Sequence, residues 1–65
     1  MTLLIDDKVQ ITGELWSGNY CFTGERAIVA RAGPIYDPDA YWVQLESGQH
    51  MHKHILVDVS EVTKV

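Results

Sequence analysis

Three histidines crowd into the segment Gln49-His50-Met51-His52-Lys53-His54, the densest group of metal-ligating side chains in the chain. Residues two apart on a strand share a face, so His50 and His52 there would offer two neutral imidazoles to a Zn²⁺ ion, with His54 or Glu46 as a third ligand. A bend at Lys53 takes His54 away from the pair, and no cysteine or further carboxylate stands at ligand spacing. The competing expectation is two polar side chains on the solvent face of a hairpin, with a charge that responds to pH. No cofactor or metal is therefore expected, and His50 and His52 are the candidate pair should one bind.

Trp42 points away from Tyr41 and Val43 by strand alternation, which predicts an outer face shared with His52, and with Gln44 and His50 as the next pair along. A wide, partly exposed tryptophan is an anchor for a partner. Otherwise the loop from Glu14 to Gly24, or Leu3-Leu4-Ile5, folds over it as a second small core. Trp16, Tyr20, Phe22 and Tyr36 stand in loops that could converge, with Glu14, Asp37 and Asp39 as a negative rim suited to a basic or extended peptide. Long loops in small domains also pin themselves down with aromatics, so at least one of the four is expected in the core and at least one accessible. Cys21, between two aromatics and with no His or Lys nearby in sequence, fits a small apolar filler. Ser17, Ser47 and Ser60 lie in no nucleophile motif, and Gly13 through Gly24 lack the spacing of a phosphate-cradling loop. Arg26 and Arg31, five apart, cannot share a face of a regular strand, and no stripe of Lys and Arg marks a nucleic-acid surface.

The 65 residues have room for one small domain, 1–65, near the size at which a single hydrophobic core just suffices. With 46% hydrophobic and 22% charged residues the chain has the composition of a folding domain. Five Lys and Arg against nine Asp and Glu give a net charge of −4, which disfavours binding to duplex nucleic acid. One cysteine forms no internal bridge, which suggests a reducing compartment. The apolar start Leu3-Leu4-Ile5 is too short for a signal peptide, and no run approaches the roughly 20 residues of a membrane span, so a cytoplasmic protein away from membranes is expected. A short, acidic chain without catalytic motifs is also typical of accessory proteins carried by phages and mobile elements.

The elements that must position these residues are strands. Lys8 to Thr12 alternates with Val9 and Ile11 on one face. Glu14 to Gly24 is a long ordered excursion with turn chemistry at Ser17-Gly18-Asn19. Glu25 to Ala32 is a strand bracketed by Gly24 and Gly33-Pro34, and Gly33 to Asp39 is a proline-bearing acidic turn. Ala40 to Glu46 is the strongest strand. Gln49 to Lys53 is expected to pair back with it across a three-residue loop, Glu46-Ser47-Gly48, with Gly48 left-handed, Val43 opposite Met51 and Trp42 opposite His52. His54-Ile55-Leu56 is expected as a short helical turn and Val57 to Val65 as the last strand. Five strands this short predict an all-β fold that curls into a small closed barrel with the helical turn before its last strand.

This pattern resembles the SH3-like small-barrel superfold, including its KOW-type bacterial versions. The resemblance rests on Asp7-Lys8-Val9-Gln10-Ile11, Gly24 before Arg26-Ala27-Ile28-Val29, Tyr41-Trp42-Val43-Gln44-Leu45-Glu46-Ser47-Gly48 and Met51-His52-Lys53-His54-Ile55-Leu56. In peptide-binding members an aromatic groove lies between two loops, where Trp16, Tyr20 and Tyr36 fall here. The chain from Arg26 onward is also similar to type II dihydrofolate reductases, barrels that become enzymes only as tetramers. His50 and His52 stand where that family carries its pore-lining glutamine and tyrosine, so its catalysis does not carry over, and what the resemblance implies is a site built by self-association.

Together these features lead to a non-enzymatic binding module that recognises a protein or peptide through Trp16, Tyr20, Tyr36, Asp37 and Asp39 in the loops and Trp42, Gln44 and His52 on the outer face, or that assembles as a homo-oligomer. The alternative is a homo-oligomer with a ligand or metal site between apposed His50/His52 strands. Single-stranded nucleic acid stacked on aromatics is a third class.

Overall fold

The computed structural model of the protein describes residues 3–65. Its strands are β1 (Lys8–Ile11), β2 (Trp16–Ser17), β3 (Tyr20–Cys21), β4 (Arg26–Ala32), β5 (Ala40–Leu45), β6 (His54–Asp58) and β7 (Val62–Lys64), with a 3-10 turn, Val59–Glu61, before the last. Five form an antiparallel sheet in the order β6-β5-β4-β1-β7, and β2 and β3 form a separate hairpin. The fold is all-β, and among the described residues no helix is long and apolar enough to cross a membrane.

Alternation builds the core. Val9 and Ile11 of β1, Ala27 and Val29 of β4, Val43 and Leu45 of β5, Val57 of β6 and Val62 of β7 are all buried on one side of the sheet. Register locks them together, because Val9 pairs with Ala27, Ala27 with Leu45, and Val29 with Val43, so a slip of one residue would turn each apolar set outward. Phe22 closes this core from beyond the hairpin and Leu3 from the N-terminal segment. Leu3 is thus a flap on the inner face, its amide donating to the Tyr41 hydroxyl over 3.4 Å, while Leu4 and Ile5 are exposed. The expected turn at Ser17-Gly18-Asn19 is the tip of the hairpin: Ser17 pairs with Tyr20 across Gly18, whose φ of 62° suits glycine.

The second half of the sheet differs from expectation. Gln49 to Lys53 is a turn, and the strand opposite β5 is β6, which pairs Gln44 with His54, Val43 with Ile55, Trp42 with Leu56 and Tyr41 with Val57. The reason is apolar matching. This register sets Ile55 and Val57 against Val43 and Tyr41 on the inner face, whereas the expected one had only Met51 to offer there. The long connection closes on itself through Met51 N–H to the Gly48 carbonyl (3.3 Å) and Lys53 N–H to that of His50 (3.0 Å). It rejoins β5 where Leu45 accepts from His52 (2.7 Å) and donates to Lys53 (2.9 Å), two residues facing one. Gly48 is left-handed as expected, at φ 82°, and His52 is too, at φ 75°.

The helical turn falls at Val59–Glu61 and not at His54-Ile55-Leu56. Asp58 decides this: its Oδ2 accepts from Ser60 N–H (2.9 Å) and Ser60 Oγ (2.6 Å), while its own N–H donates to Glu61 Oε1 (2.8 Å), a reciprocal cap that starts a turn. The last strand is correspondingly cut to β7. Among the described residues β6 and β7 do not pair with one another, so the sheet keeps two edges and backbone pairing does not close the expected barrel.

Candidate functional site

The outer face of the sheet is shaped by one extra residue in β4. Val29 pairs with Val43, but the next pair is Arg31 with Trp42, which leaves Ala30 as a bulge. Strict alternation from buried Val29 would send Arg31 toward the core. The bulge turns it outward instead, and its guanidinium carbon lies 4.9 Å from the centre of the Trp42 ring.

Cross-strand pairing then writes two rows over this face. Lys8, Ile28, Gln44 and His54 form one across four strands, and Arg31, Trp42 and Leu56 form the next. Arg26 pairs with Gln10 beside them, with Glu46 following β5 at the margin, its N–H bonded to the Arg26 carbonyl. Lys8, Arg26 and Arg31, three of the chain's five lysines and arginines, lie on this partly apolar face together with the carboxylates Glu46 and Asp58 at its margins, so a molecule of net charge −4 gathers most of its cationic side chains here. Trp42 is half-buried at its middle, outside the core cluster, and Leu56 beside it is 41% exposed. Of the apolar start Leu3-Leu4-Ile5, only Leu3 packs, into the inner core on the side opposite Trp42, while Leu4 and Ile5 are exposed. Arg26 and Arg31, expected on different faces, share this one.

His52, expected beside Trp42, stands in the turn after β5, and Leu56 takes its place. His50 is also in that turn and packs inward: its ring lies 4.5 Å from Tyr20 edge-on and 5.7 Å from Phe22. The apposed strands that would pair His50 with His52 are therefore not formed, and among the described residues no group of three or more His, Cys, Asp or Glu is placed to hold a metal.

The loop aromatics divide between packing and exposure. Phe22 is in the core, and Tyr20 lies against it at 5.0 Å, with its hydroxyl donating to Glu25 Oε2. That bond, with burial adding to it, holds the Tyr20 proton above the ordinary tyrosine range. Glu25 Oε1 is buried without a hydrogen-bond partner among the described residues, directly beneath Gly48. Tyr20 is thus a strut between the hairpin and the β5–β6 turn, and among the described residues its aromatic contacts are with Phe22 and His50 and not with Trp16 or Tyr36. Trp16 is 59% exposed on β2 and Tyr36 87% exposed on the β4–β5 loop, next to fully exposed Ile35. Asp37 and Pro38 line a shallow cavity of about 200 Å³ with Ala32, Ile35 and Tyr41, while Asp39 is an exposed neighbour whose N–H meets Asp37 Oδ1 at 3.3 Å. Cys21 is half-buried, its Sγ 3.1 Å from Thr23 Oγ1.

Of the outer-face candidates, the structure brings Trp42 and Gln44 together, and it adds Arg31, Leu56, Ile28 and Lys8, which sequence reasoning missed. Leu56 and Lys8 were recoverable from a correct register. Arg31 was not, because nothing local marks the bulge. No family model matches the chain, and neither a curated protein nor a solved structure was found to match it.

Proposed function

We propose that this chain is a non-enzymatic docking module, an SH3-like barrel that binds an extended acidic and apolar segment of a protein partner on the outer face around Trp42. The fold part is supported by the order of elements: a long excursion between β1 and β4, an acidic loop between β4 and β5, and a short helical turn before β7. The observation that carries the functional part is the β4 bulge, which stacks Arg31 on Trp42 beside exposed Leu56. Tryptophan and arginine are the residues that dominate protein interfaces. The partner's charge follows from Arg31 on the ring, with Lys8 in the neighbouring row and Arg26 farther along the face, cations that outnumber the carboxylates Glu46 and Asp58 there. Arg31 also occupies one face of the Trp42 ring, which leaves less of the ring for a stacking base, and the net charge of −4 weighs against a polyanion, so a peptide is favoured over single-stranded nucleic acid.

The test is selection from a displayed random-peptide library, with Trp42→Ala as counter-selector and the winning peptide mapped by NMR. Acidic, apolar peptides should shift the amides of Arg31, Trp42 and Leu56 and lose binding to Trp42→Ala and Arg31→Ala, with both variants folded. Equal recovery on Trp42→Ala, or shifts confined to Trp16 and Tyr36, would refute the assignment, and tight salt-sensitive binding of a single-stranded oligonucleotide would replace the partner class.

A further inference from the structure

The sheet ends at β6, and the backbone shows which of its groups are unused. Val59 N–H donates to the Asp39 carbonyl over 2.8 Å, and Leu45 N–H donates to that of Lys53 over 2.9 Å. In an antiparallel ladder these bonds alternate, so Ile55 and Val57 exchange bonds with β5 while His54, Leu56 and Asp58 direct theirs away from it. Asp58 agrees with this, since its N–H turns outward to Glu61 Oε1. Among the described residues, His54 and Leu56 therefore present N–H and C=O groups on an open edge. Their side chains do not blunt it: both are exposed, and β6 carries no lysine or proline.

We infer that β6 pairs with β6 of a second copy, antiparallel about a two-fold axis through Leu56. The sequence of the strand, His54-Ile55-Leu56-Val57-Asp58, is complementary to itself when reversed. Leu56 meets the partner's Leu56 and exchanges two backbone bonds with it. Each His54 meets the partner's Asp58, an imidazole against a carboxylate, and each His54 N–H reaches the carbonyl of the partner's Asp58. The cap leaves room for this contact, because both Ser60 bonds fall on Asp58 Oδ2 and neither uses Oδ1. Ile55 meets the partner's Val57 on the inner side. The outer row then runs unbroken from Arg31 through Trp42 and Leu56 to the partner's Leu56, the partner's Trp42 and the partner's Arg31, doubling the face described above. The pairing concerns the edge of the sheet and stands whether or not that face binds a peptide.

The experiment is sedimentation equilibrium of the full chain over a wide concentration range, together with amide hydrogen exchange by NMR at both ends of it. The expected result is a dimer in which the His54 and Leu56 amides become protected at high concentration and lose protection on dilution, while Ile55 and Val57 stay protected throughout. Leu56→Lys, at an exposed position, should keep the monomer's thermal midpoint and raise the dimer dissociation constant by about tenfold or more. A monomer at every concentration would overturn the proposal. So would a dimer whose His54 and Leu56 amides exchange freely, or one that Leu56→Lys leaves unchanged. The peptide-binding test turns on Trp42→Ala and Arg31→Ala with peptide added, and this one on Leu56→Lys and on protein concentration with none, so either result can fail alone.

Discussion

Replacing Gly48 with alanine separates two costs that glycines in turns usually mix. Gly18, Gly24 and Gly48 all have positive φ, at 62°, 92° and 82°, so a side chain at any of them meets the left-handed penalty of about 1–2 kcal/mol. A methyl at Gly18 or Gly24 points into open space, whereas at Gly48 it would fall inside van der Waals contact of the Glu25 carboxylate. That carboxylate is the end of a flexible side chain, and elsewhere it would swing aside at little cost. Here it is held, because Oε2 accepts from the Tyr20 hydroxyl and Oε1 is buried. Displacing it gives up the hydrogen bond to a charged group, about 1–3 kcal/mol. Gly18→Ala should therefore cost about 1–2 kcal/mol and Gly48→Ala roughly 2–5, against a total stability of ~3–10 kcal/mol for a chain this size.

Urea unfolding followed by circular dichroism measures both, provided the slopes agree. A double-mutant cycle isolates the contact: in a Glu25→Ala background the cost of Gly48→Ala should fall to that of Gly18→Ala, leaving a coupling of about 1–3 kcal/mol. Equal destabilisation by Gly18→Ala and Gly48→Ala in the parent protein would show that the Glu25–Tyr20 pair does not hold the β5–β6 turn.

Two titrations test hydrogen bonds from the side of charge, one beneath this turn and one in the cap before β7. Because the folded state binds the Tyr20 proton more tightly than the unfolded state, its contribution is complete below the ordinary value of 10.0 and is lost as pH rises through the raised folded value; Glu25→Gln should bring the Tyr20 midpoint down, read from ring ¹³C shifts. Asp58 has the opposite sign: hydrogen bonds from the Ser60 hydroxyl and amide hold it below its ordinary 3.8, with burial opposing, so its contribution is present above that value and lost as pH falls through the depressed one. Ser60→Ala should raise the Asp58 midpoint and shift the acid limb of unfolding to higher pH, and an unmoved midpoint would show that the cap does not set it.

Short-range pattern was enough to read β1, β4 and β5, since Val9 and Ile11, Ala27 and Val29, and Val43 and Leu45 alternate within their own strands and need no partner to declare a face. The same holds for the turn at Gly18, the left-handed Gly48 and the mixed fate of the aromatics, with Phe22 buried and Trp16 and Tyr36 exposed. The strand after Gly48 was misplaced because His50 and Met51 alternate as well as His54 and Ile55 do; only the inner-face match of Ile55 and Val57 to Val43 and Tyr41 discriminates between them, and that is a contact across the sheet. The candidate site depended on such contacts still more. Trp42 could be put on an outer face by counting along β5, but its neighbours come from β4 and β6, and Arg31 arrives only because Ala30 is squeezed out of register between Val29 and Arg31. A strand's own residues therefore determine which side chains face the core, whereas the residues beside them on the outer face are chosen by pairing and bulges, which are settled by packing at positions far apart in the chain.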